Sequence, residues 1–388
     1  MYYYIGDTMK KILIIIIVIT ILFINIKEPK GKTEELKGVF ISYIELNKYL
    51  ADKDESSSKK EIIKMIKNID KMHLNTIILQ VRSQQDAIYE SKIYPFSFYI
   101  NKDEVLDYDI LEYFITESHK RNIKLYAWVN PYRVRTNEDI NSISINNPVY
   151  KYINTDILYI NNGIYLNPSK EETNNLIIEG VKELLDYDID GLLFDDYFYP
   201  DNNIDINDYN EYILNNPYIE KSIYNLQTVN KLIKRVHKEC KSKNIPFGIS
   251  PDGNIENNYN KNYADVRLWL SSTKYIDFII PQIYYGFYNS TKAYINTVKE
   301  WEKLVKNNNI KFYIALAFYK VGREDNYAKE GKDEWIYNDN IIMKEILISR
   351  NLKKYNGFVL FRYDNLFDYN VYTNNSIKEI ENLKKILN

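Results

Sequence analysis

Residues 190–200 of the chain read Asp-Gly-Leu-Leu-Phe-Asp-Asp-Tyr-Phe-Tyr-Pro. The uninterrupted apolar residues 192–194 predict a strand that is covered on both faces, as in a parallel sheet. Asp195 and Asp196 follow at its carboxyl end, where α/β proteins place their chemistry. Because neighbouring side chains on a strand point to opposite sides, we expect one carboxylate to face a pocket while the other braces a loop. A helix N-cap followed by a solvated acid is the alternative interpretation.

Strand and helix patterns alternate eight times along the chain. Besides the strand described above, the predicted strands cover residues 38–43, 75–82, 124–130, 246–251, 275–284, 311–318 and 357–364. Eight consecutive β/α units are what a closed (β/α)8 barrel requires, so we predict an α/β fold, a single TIM barrel over residues 37–388. The longest connections follow strands two, three and four, and the pattern gives no boundary for a second domain.

The N-terminus has the layout of an export segment. Lys10 and Lys11 precede an apolar run that starts at Ile12. Such a layout is typical of a secretory signal peptide, or of a membrane anchor if the segment stays uncleaved. We therefore expect residues 1–26 to be a signal peptide or membrane anchor and residues 27–36 to be a polar linker. The barrel is then exported, either secreted or held on the extracytoplasmic side of the membrane.

Composition and residue usage disfavour several functional classes. The formal net charge of −2 gives no electrostatic reason to expect a nucleic acid partner. The single cysteine, Cys240, excludes an intrachain disulfide and a cysteine-rich metal site. His73, His119 and His237 all fall on predicted helices, whereas metal-dependent barrel hydrolases and Ser-His-Asp enzymes need histidines near strand ends. We therefore predict no metal and no cofactor.

Polar and aromatic side chains gather at the predicted carboxyl ends of the strands. Carboxylates act as nucleophile, base or acid in glycosidic cleavage, amides and arginines hold hydroxyl groups, and aromatic rings suit the apolar faces of sugars. The pattern therefore predicts a polysaccharide site. The residues expected to bind the substrate are Arg82, Asn130, Tyr132, Arg133, Tyr197, Gln282 and Tyr284.

The catalytic roles fall to the carboxylates. Asp195 is the predicted reacting group, as nucleophile or base, and Asp196 is expected to orient it or the substrate. An acid must also protonate the leaving oxygen, and Asp86, Asp252 and Asp364 are the candidates. Of these we choose Asp252, because strand five neighbours strand four around a barrel.

A set of motifs also occurs in the order found in a known family. The motifs lie at residues 38–40, 81–82, 86–91, 127–133, 165–168, 190–200, 247–251 and 281–284. Together they resemble the glycosyl-hydrolase-like family 10, exported bacterial barrel proteins related to glycoside hydrolases, over roughly residues 37–320. The resemblance implies a TIM barrel acting on a cell-wall or other extracellular glycan, and some relatives cleave peptidoglycan strands. The chain departs from the family pattern at Gln85, Asp252 and Tyr285, where Gly, Phe and Trp are usual.

The sequence leaves three hypotheses of different classes. The first is an exported glycoside hydrolase, and the second is a glycan-binding barrel that has kept the fold and lost the chemistry. The third, a metal-dependent deacetylase, is disfavoured by the histidine positions. A second carboxyl facing Asp195 or Asp196 across the pocket, at one of the separations that glycosidases use, would favour the hydrolase.

Overall fold

A computed structural model describes residues 34–100 and 108–387. The predicted signal or anchor, residues 1–26, and residues 27–33 of the predicted linker lie outside the described residues. Within the described ranges, no helix combines the length and the apolar character needed to cross a membrane. The barrel unit begins at Leu36.

Parallel strands form a closed barrel, in the order β1-β11-β10-β9-β8-β7-β3-β2, which confirms the predicted (β/α)8 fold. A separate antiparallel sheet has the order β4-β6-β5. The strands are β1 Leu36–Ile41, β2 Thr76–Arg82, β3 Lys124–Val129, β4 Arg133–Arg135, β5 Leu158–Ile160, β6 Ile164–Leu166, β7 Gly191–Phe194, β8 Phe247–Ile249, β9 Phe278–Ile279, β10 Lys311–Leu316 and β11 Tyr355–Leu360.

Helices surround the barrel and carry apolar faces at helical spacing. The α-helices are α1 Tyr43–Leu50, α2 Glu55–Lys71, α3 Ile110–His119, α4 Glu171–Leu184, α5 Ile206–Ile213, α6 Lys221–Ser242, α7 Ile255–Asn260, α8 Val266–Trp269, α9 Tyr294–Leu304, α10 Glu334–Tyr337, α11 Ile341–Ser349, α12 Tyr363–Phe367 and α13 Asn374–Leu387. Short 3-10 helices lie at Ile140–Ser142, Tyr150–Tyr152, Phe318–Lys320, Lys329–Gly331 and Tyr369–Val371.

The strands are apolar on both faces because each face meets other side chains. One set of alternate residues, among them Phe40, Trp128 and Leu193, packs inside the barrel. The residues between them, such as Leu192 and Phe194, pack outward in the shell that contains the helices. This two-sided burial explains the continuous apolar run that predicted a parallel sheet.

Two predicted strands are shorter than their apolar patterns. The sixth barrel strand, β9, holds only Phe278 and Ile279, because Pro281 has no N–H to donate to a continuing ladder. Gln282 then rejoins the sheet through isolated bridges to Asp252 and Ala315. The eighth strand ends at Leu360, before the chain turns into helix α12. After β9 the polar Gln282 lines the mouth of the barrel, whereas after β11 the mouth is lined by Phe361 and Asp364 pairs with Lys48 instead.

Candidate active site

A cavity of about 230 Å³ opens where the carboxyl ends of the barrel strands meet. Both residues of the Asp195-Asp196 pair line it, and Asp195 also braces the following loop through the Tyr197 N–H, so the two expected roles are not divided between the two carboxylates. The other residues of the wall are Phe40, Ser42, Tyr43, Ile44, Gln80, Trp128, Arg133, Tyr197, Ser250, Gln282, Tyr284 and Phe361. The cavity thus combines two carboxyl groups, one guanidinium and a largely aromatic surface.

Asp195 is buried and held by three donors. Its Oδ2 accepts hydrogen bonds from Trp128 Nε1 at 3.0 Å and Asn130 Nδ2 at 3.2 Å, and its Oδ1 accepts from the Tyr197 N–H at 3.3 Å. Burial raises the pKa of Asp195, while the charge of Arg133 and these hydrogen bonds act in the opposite direction. The donors fix the orientation of the carboxylate and favour its charged form.

Asp196 is partly exposed to the cavity and has a different environment. Its Oδ1 accepts one hydrogen bond, from Gln282 Nε2 at 3.2 Å. Burial first, then the negative charges of Asp195 and Asp252, raise the pKa of Asp196 to about 7. A carboxyl group with such a pKa is about half protonated at pH 7 and mostly protonated below it. Two adjacent carboxyls with unlike environments are the arrangement in which one serves as acid and the other stays ionised.

Asn130 supports Asp195 rather than facing the substrate. Its side chain is fully buried, donating from Nδ2 to Asp195 and accepting the Arg133 N–H at Oδ1 over 3.0 Å. The structure therefore changes the expected role of Asn130 from substrate binding to positioning. Trp128, which the sequence reasoning missed, does the same through its indole N–H. Its signal was its place two residues before Asn130, which puts both side chains on the inner face of β3.

Arg82 does not reach the cavity, which corrects the prediction that it binds substrate. It is 1% exposed, and its guanidinium carbon lies 4.4 Å from the centre of the Tyr94 ring. Strict alternation after Gln80, which lines the cavity, would have turned Arg82 inward. The ladder between β2 and β3 shifts register between these two residues, so Arg82 points out of the barrel instead.

Tyr132 and Asp252 are also absent from the cavity wall. Tyr132 is fully buried and packs edge-on against Phe198. The Asp252 carboxylate accepts hydrogen bonds from the Asn254 N–H at 2.7 Å and from Asn257 Nδ2 at 3.0 Å. Because it is engaged in the turn that leads into α7, Asp252 is not placed to protonate a substrate, and it acts on the site only through its charge.

The other two acids considered for protonation also lie outside the cavity wall. Asp86 accepts the Phe98 N–H at 3.1 Å, and burial raises its pKa to about 6. Asp364 forms an ion pair with Lys48 at 3.0 Å. By contrast, the structure brings Arg133, Tyr197, Gln282 and Tyr284 to the cavity, where the sequence placed them. Asp196 is therefore the best-placed acid.

His119 and His237 have side-chain partners away from the cavity, and His73 is exposed. His119 Nε2 lies 2.8 Å from an Asp190 oxygen that also accepts the Leu125 N–H, so Asp190 braces the start of strand β7. His237 Nε2 lies 3.3 Å from Asp277. Across residues 34–100 and 108–387, no group of three or more His, Cys, Asp or Glu is arranged to hold a metal ion.

A parallel (β/α)8 barrel with paired carboxyls in an aromatic cavity at its strand ends has the architecture of the glycoside hydrolase barrels. The family model described as "Glycosyl hydrolase-like 10" matches residues 35–333, and the chain belongs to this family.

Two relatives illustrate the match. The chain is 31% identical over 364 residues to "Glycosyl hydrolase YngK" of Bacillus subtilis strain 168, covering 86% of this chain and 69% of that protein. It is 29% identical over 341 residues to "Glycosyl hydrolase DigH" of Escherichia coli K12, covering 79% and 76%.

Solved structures share the fold at low identity. The PgaB (BpsB) glycoside hydrolase domain from Bordetella bronchiseptica has a TM-score of 0.53 at 13% identity, over 91% of this chain and 99% of that one. The endo-1,4-beta-mannanase from Rhizomucor miehei has a TM-score of 0.54 at 11% identity, over 92% and 96%. These likenesses show the barrel fold alone.

Proposed function

We propose that the protein is a glycoside hydrolase that uses Asp195 and Asp196 as its two reacting carboxyl groups. The observation that carries this proposal is the unequal environment of the pair. Three donors hold Asp195, whereas burial and neighbouring charge raise the pKa of Asp196 to about 7. Two titratable groups in one cavity with unlike hydrogen-bonding and charge environments are candidates for separate acid and base roles.

In the proposed reaction, protonated Asp196 donates its proton to the glycosidic oxygen as the bond from that oxygen to the anomeric carbon breaks. Asp195 is the nucleophile or base and faces the positive charge that develops at the anomeric carbon. Water then adds its oxygen to the anomeric carbon. If Asp195 is the nucleophile, this water displaces it from the glycosyl-enzyme and gives its proton to the Asp196 carboxylate. If Asp195 is the base, it takes the proton of the water, and exchange with solvent then moves a proton from Asp195 to Asp196, which restores the starting state. Trp128 and Asn130 keep the Asp195 carboxylate in a fixed orientation throughout.

We further propose that the substrate is an extracellular or cell-wall glycan, with peptidoglycan strands as the first candidate. Aromatic rings from four different strand ends, those of Phe40, Trp128, Tyr284 and Phe361, surround the carboxyl pair. Such surfaces suit the apolar faces of sugar rings, while Gln282 and Ser42 offer polar contacts for hydroxyl groups. The relatives named as glycosyl hydrolases support a glycan as the substrate.

Product analysis tests this function. We expect the purified full chain to release shortened, reducing-end fragments from peptidoglycan glycan strands, detected by mass spectrometry. Loss of acetyl groups without chain shortening would instead indicate a deacetylase. Binding of the strands with no new reducing ends, under conditions where the protein is folded, would indicate the non-catalytic glycan-binding barrel.

We also propose that the barrel is exported, on the basis of the Lys10-Lys11 pair and the apolar run that follows it. Protease added to intact spheroplasts should then digest the barrel, while a cytoplasmic marker protein stays protected. Protection of the barrel to the same extent as the marker would contradict export. A version lacking residues 1–26 is the matched control, and it should be protected.

A further inference from the structure

Arg133 presents an unused hydrogen-bonding edge to the cavity. Its Nε donates to the Ser83 carbonyl at 3.1 Å, which fixes the plane of the guanidinium group. Its Nη1 and Nη2 groups have no hydrogen-bond or ion-pair partner among the described residues. The guanidinium carbon lies 5.9 Å from the centre of the Tyr43 ring and 5.3 Å from that of Tyr197. Arg133 is thus held in place and still has donors to offer.

Arg135 shows that unused donors are not a general property of the arginines near the site. Arg135 lies two residues further along β4. Its Nε, Nη1 and Nη2 atoms all donate to oxygen atoms of Ser142, Gln84 and Val134. Arg133 is, in addition, the only cationic side chain among the described residues that line the cavity. Its donors are therefore available to a bound molecule.

The chemistry of this edge selects a planar anion. The parallel N–H groups of a guanidinium match the two oxygens of a carboxylate, which Lys cannot imitate because its ammonium is a point charge. The cavity, at about 230 Å³, is smaller than sites for drug-sized ligands and suits one sugar unit. An acid group on that sugar would lie within the same small space as the carboxyl pair.

The charges at the site permit such a ligand. Below about pH 7 Asp196 is mostly protonated, so the negative charge of the wall is at most that of Asp195, which stands against the positive charge of Arg133. A carboxylate that binds the free edge of Arg133 meets a local field that is close to balanced rather than doubly negative. The Tyr43 and Tyr197 rings flank the guanidinium group and add cation–π contacts that hold it in place.

We infer that Arg133 determines specificity by binding a carboxylate carried by the sugar in the cavity, so that the preferred glycan is built from acidic sugar units. This inference rests on the proposed function, because it concerns how the same cavity holds a glycan. Two sources of the carboxylate share this chemistry, an ether-linked acid such as the lactyl group of peptidoglycan strands and the carboxylate of a uronic acid.

Binding measured separately from cleavage tests the inference. Calorimetric titrations of the full chain carrying Asp195→Asn would measure the affinity for two ligands. The first is a peptidoglycan-strand oligosaccharide whose lactyl carboxylates are free, and the second is the same oligosaccharide after reduction of each acid to an alcohol. A second pair would be uronic acid oligosaccharides and their reduced forms. For at least one pair, we expect the acid form to bind about 10- to 100-fold more tightly, as charge-assisted hydrogen bonds contribute in this range.

Two variants make the test specific. Arg133→Gln should bring the acid-to-reduced affinity ratio close to one, whereas Arg267→Gln should leave it unchanged. Arg267 is the matched control because its guanidinium carbon also stacks on a tyrosine ring, 4.9 Å from the centre of Tyr259, outside the cavity wall. Equal affinities within both pairs, no binding of either acid form, or a preference that survives Arg133→Gln would each overturn the inference.

Cleavage by the wild-type chain separates this inference from the proposed function. Hydrolysis of acid and reduced glycans at equal rates and with equal affinities would leave the hydrolase function standing and remove the specificity role of Arg133. Selective, Arg133-dependent binding of acidic glycans without any cleavage would do the opposite, keeping the specificity role and refuting the hydrolase.

Discussion

Asp195→Asn is expected to abolish turnover while leaving the fold intact. The amide has nearly the same shape as the carboxylate, but it carries no charge and can be neither nucleophile nor base. We expect kcat to fall by a factor on the order of 10³ or more, as for other residues that act directly in the reaction. Reducing ends released from a verified glycan substrate would be measured, together with the thermal unfolding midpoint of each protein.

Asp364→Asn is the matched control for this experiment. Asp364 is also a buried acid that follows a barrel strand, but it pairs with Lys48 and does not line the cavity. Its replacement should therefore affect stability more than turnover. Near wild-type hydrolysis by Asp195→Asn would refute the assignment, and equal loss in both variants would point to a general structural effect.

Asp196→Asn is expected to remove the acid, and the loss of activity should therefore depend on how much the leaving group needs a proton. On a natural glycan, whose leaving oxygen needs a proton, we expect kcat to fall by about 10²- to 10⁴-fold. On a synthetic glycoside with an acidic phenol as leaving group, the loss should be much smaller, because that group departs without protonation. Rates of both substrates over a range of pH would be compared with those of the wild type. An equal loss on both substrates would exclude Asp196 as the acid.

The pH dependence of wild-type activity should also show the titration of Asp196. Because the pKa of Asp196 is raised to about 7, activity should decline as the pH rises through about 7 and the acid loses its proton. In Asp196→Asn, measured with the activated substrate, this decline should disappear. A decline that persists unchanged in the variant would assign it to another group.

The same substitution should stabilise the protein at alkaline pH. The pKa of Asp196 rises from an ordinary 3.8 to about 7 on folding, so between these values the folded chain holds a proton that the unfolded chain has lost. The free energy of unfolding therefore decreases as the pH rises through this window. Above about pH 7 the loss of stability is complete and stays constant. Asp196→Asn removes the cost, so its unfolding midpoint should exceed that of the wild type at pH 8 and match it below pH 4.

Strand alternation explains how far the site could be predicted from the sequence. The inner positions of β3 and β7 continue regularly beyond the strand ends, so Trp128, Asn130 and Asp195 share one face and meet. The barrel fold follows from the same periodicity, repeated eight times. Residues at the predicted strand ends on this inner face were therefore correctly expected to lie at the cavity.

Three features could not be predicted, and two of them depend on irregular backbone. The register shift after Gln80 reverses the side on which Arg82 lies, and no residue type in β2 marks it. Beyond Pro251 the chain has left the strand, so the adjacency of strands four and five says nothing about where the Asp252 carboxylate points. The raised pKa of Asp196 depends on the burial of the pair, which is a property of the assembled mouth.

The outward placement of Arg82 has a consequence for comparing members of this family. A β-carbon at residue 180 would lie 2.1 Å from Arg82 Nη1, so the arginine occupies the space that Gly180 leaves open. These two residues should covary during evolution, independently of the carboxyl pair. Homologues that lost Asp195 and became binding proteins should still retain the Arg82-Gly180 combination. In an aligned homologue, the Arg82-Gly180 combination would therefore indicate inheritance of the barrel, whereas the carboxyl pair would indicate the proposed chemistry.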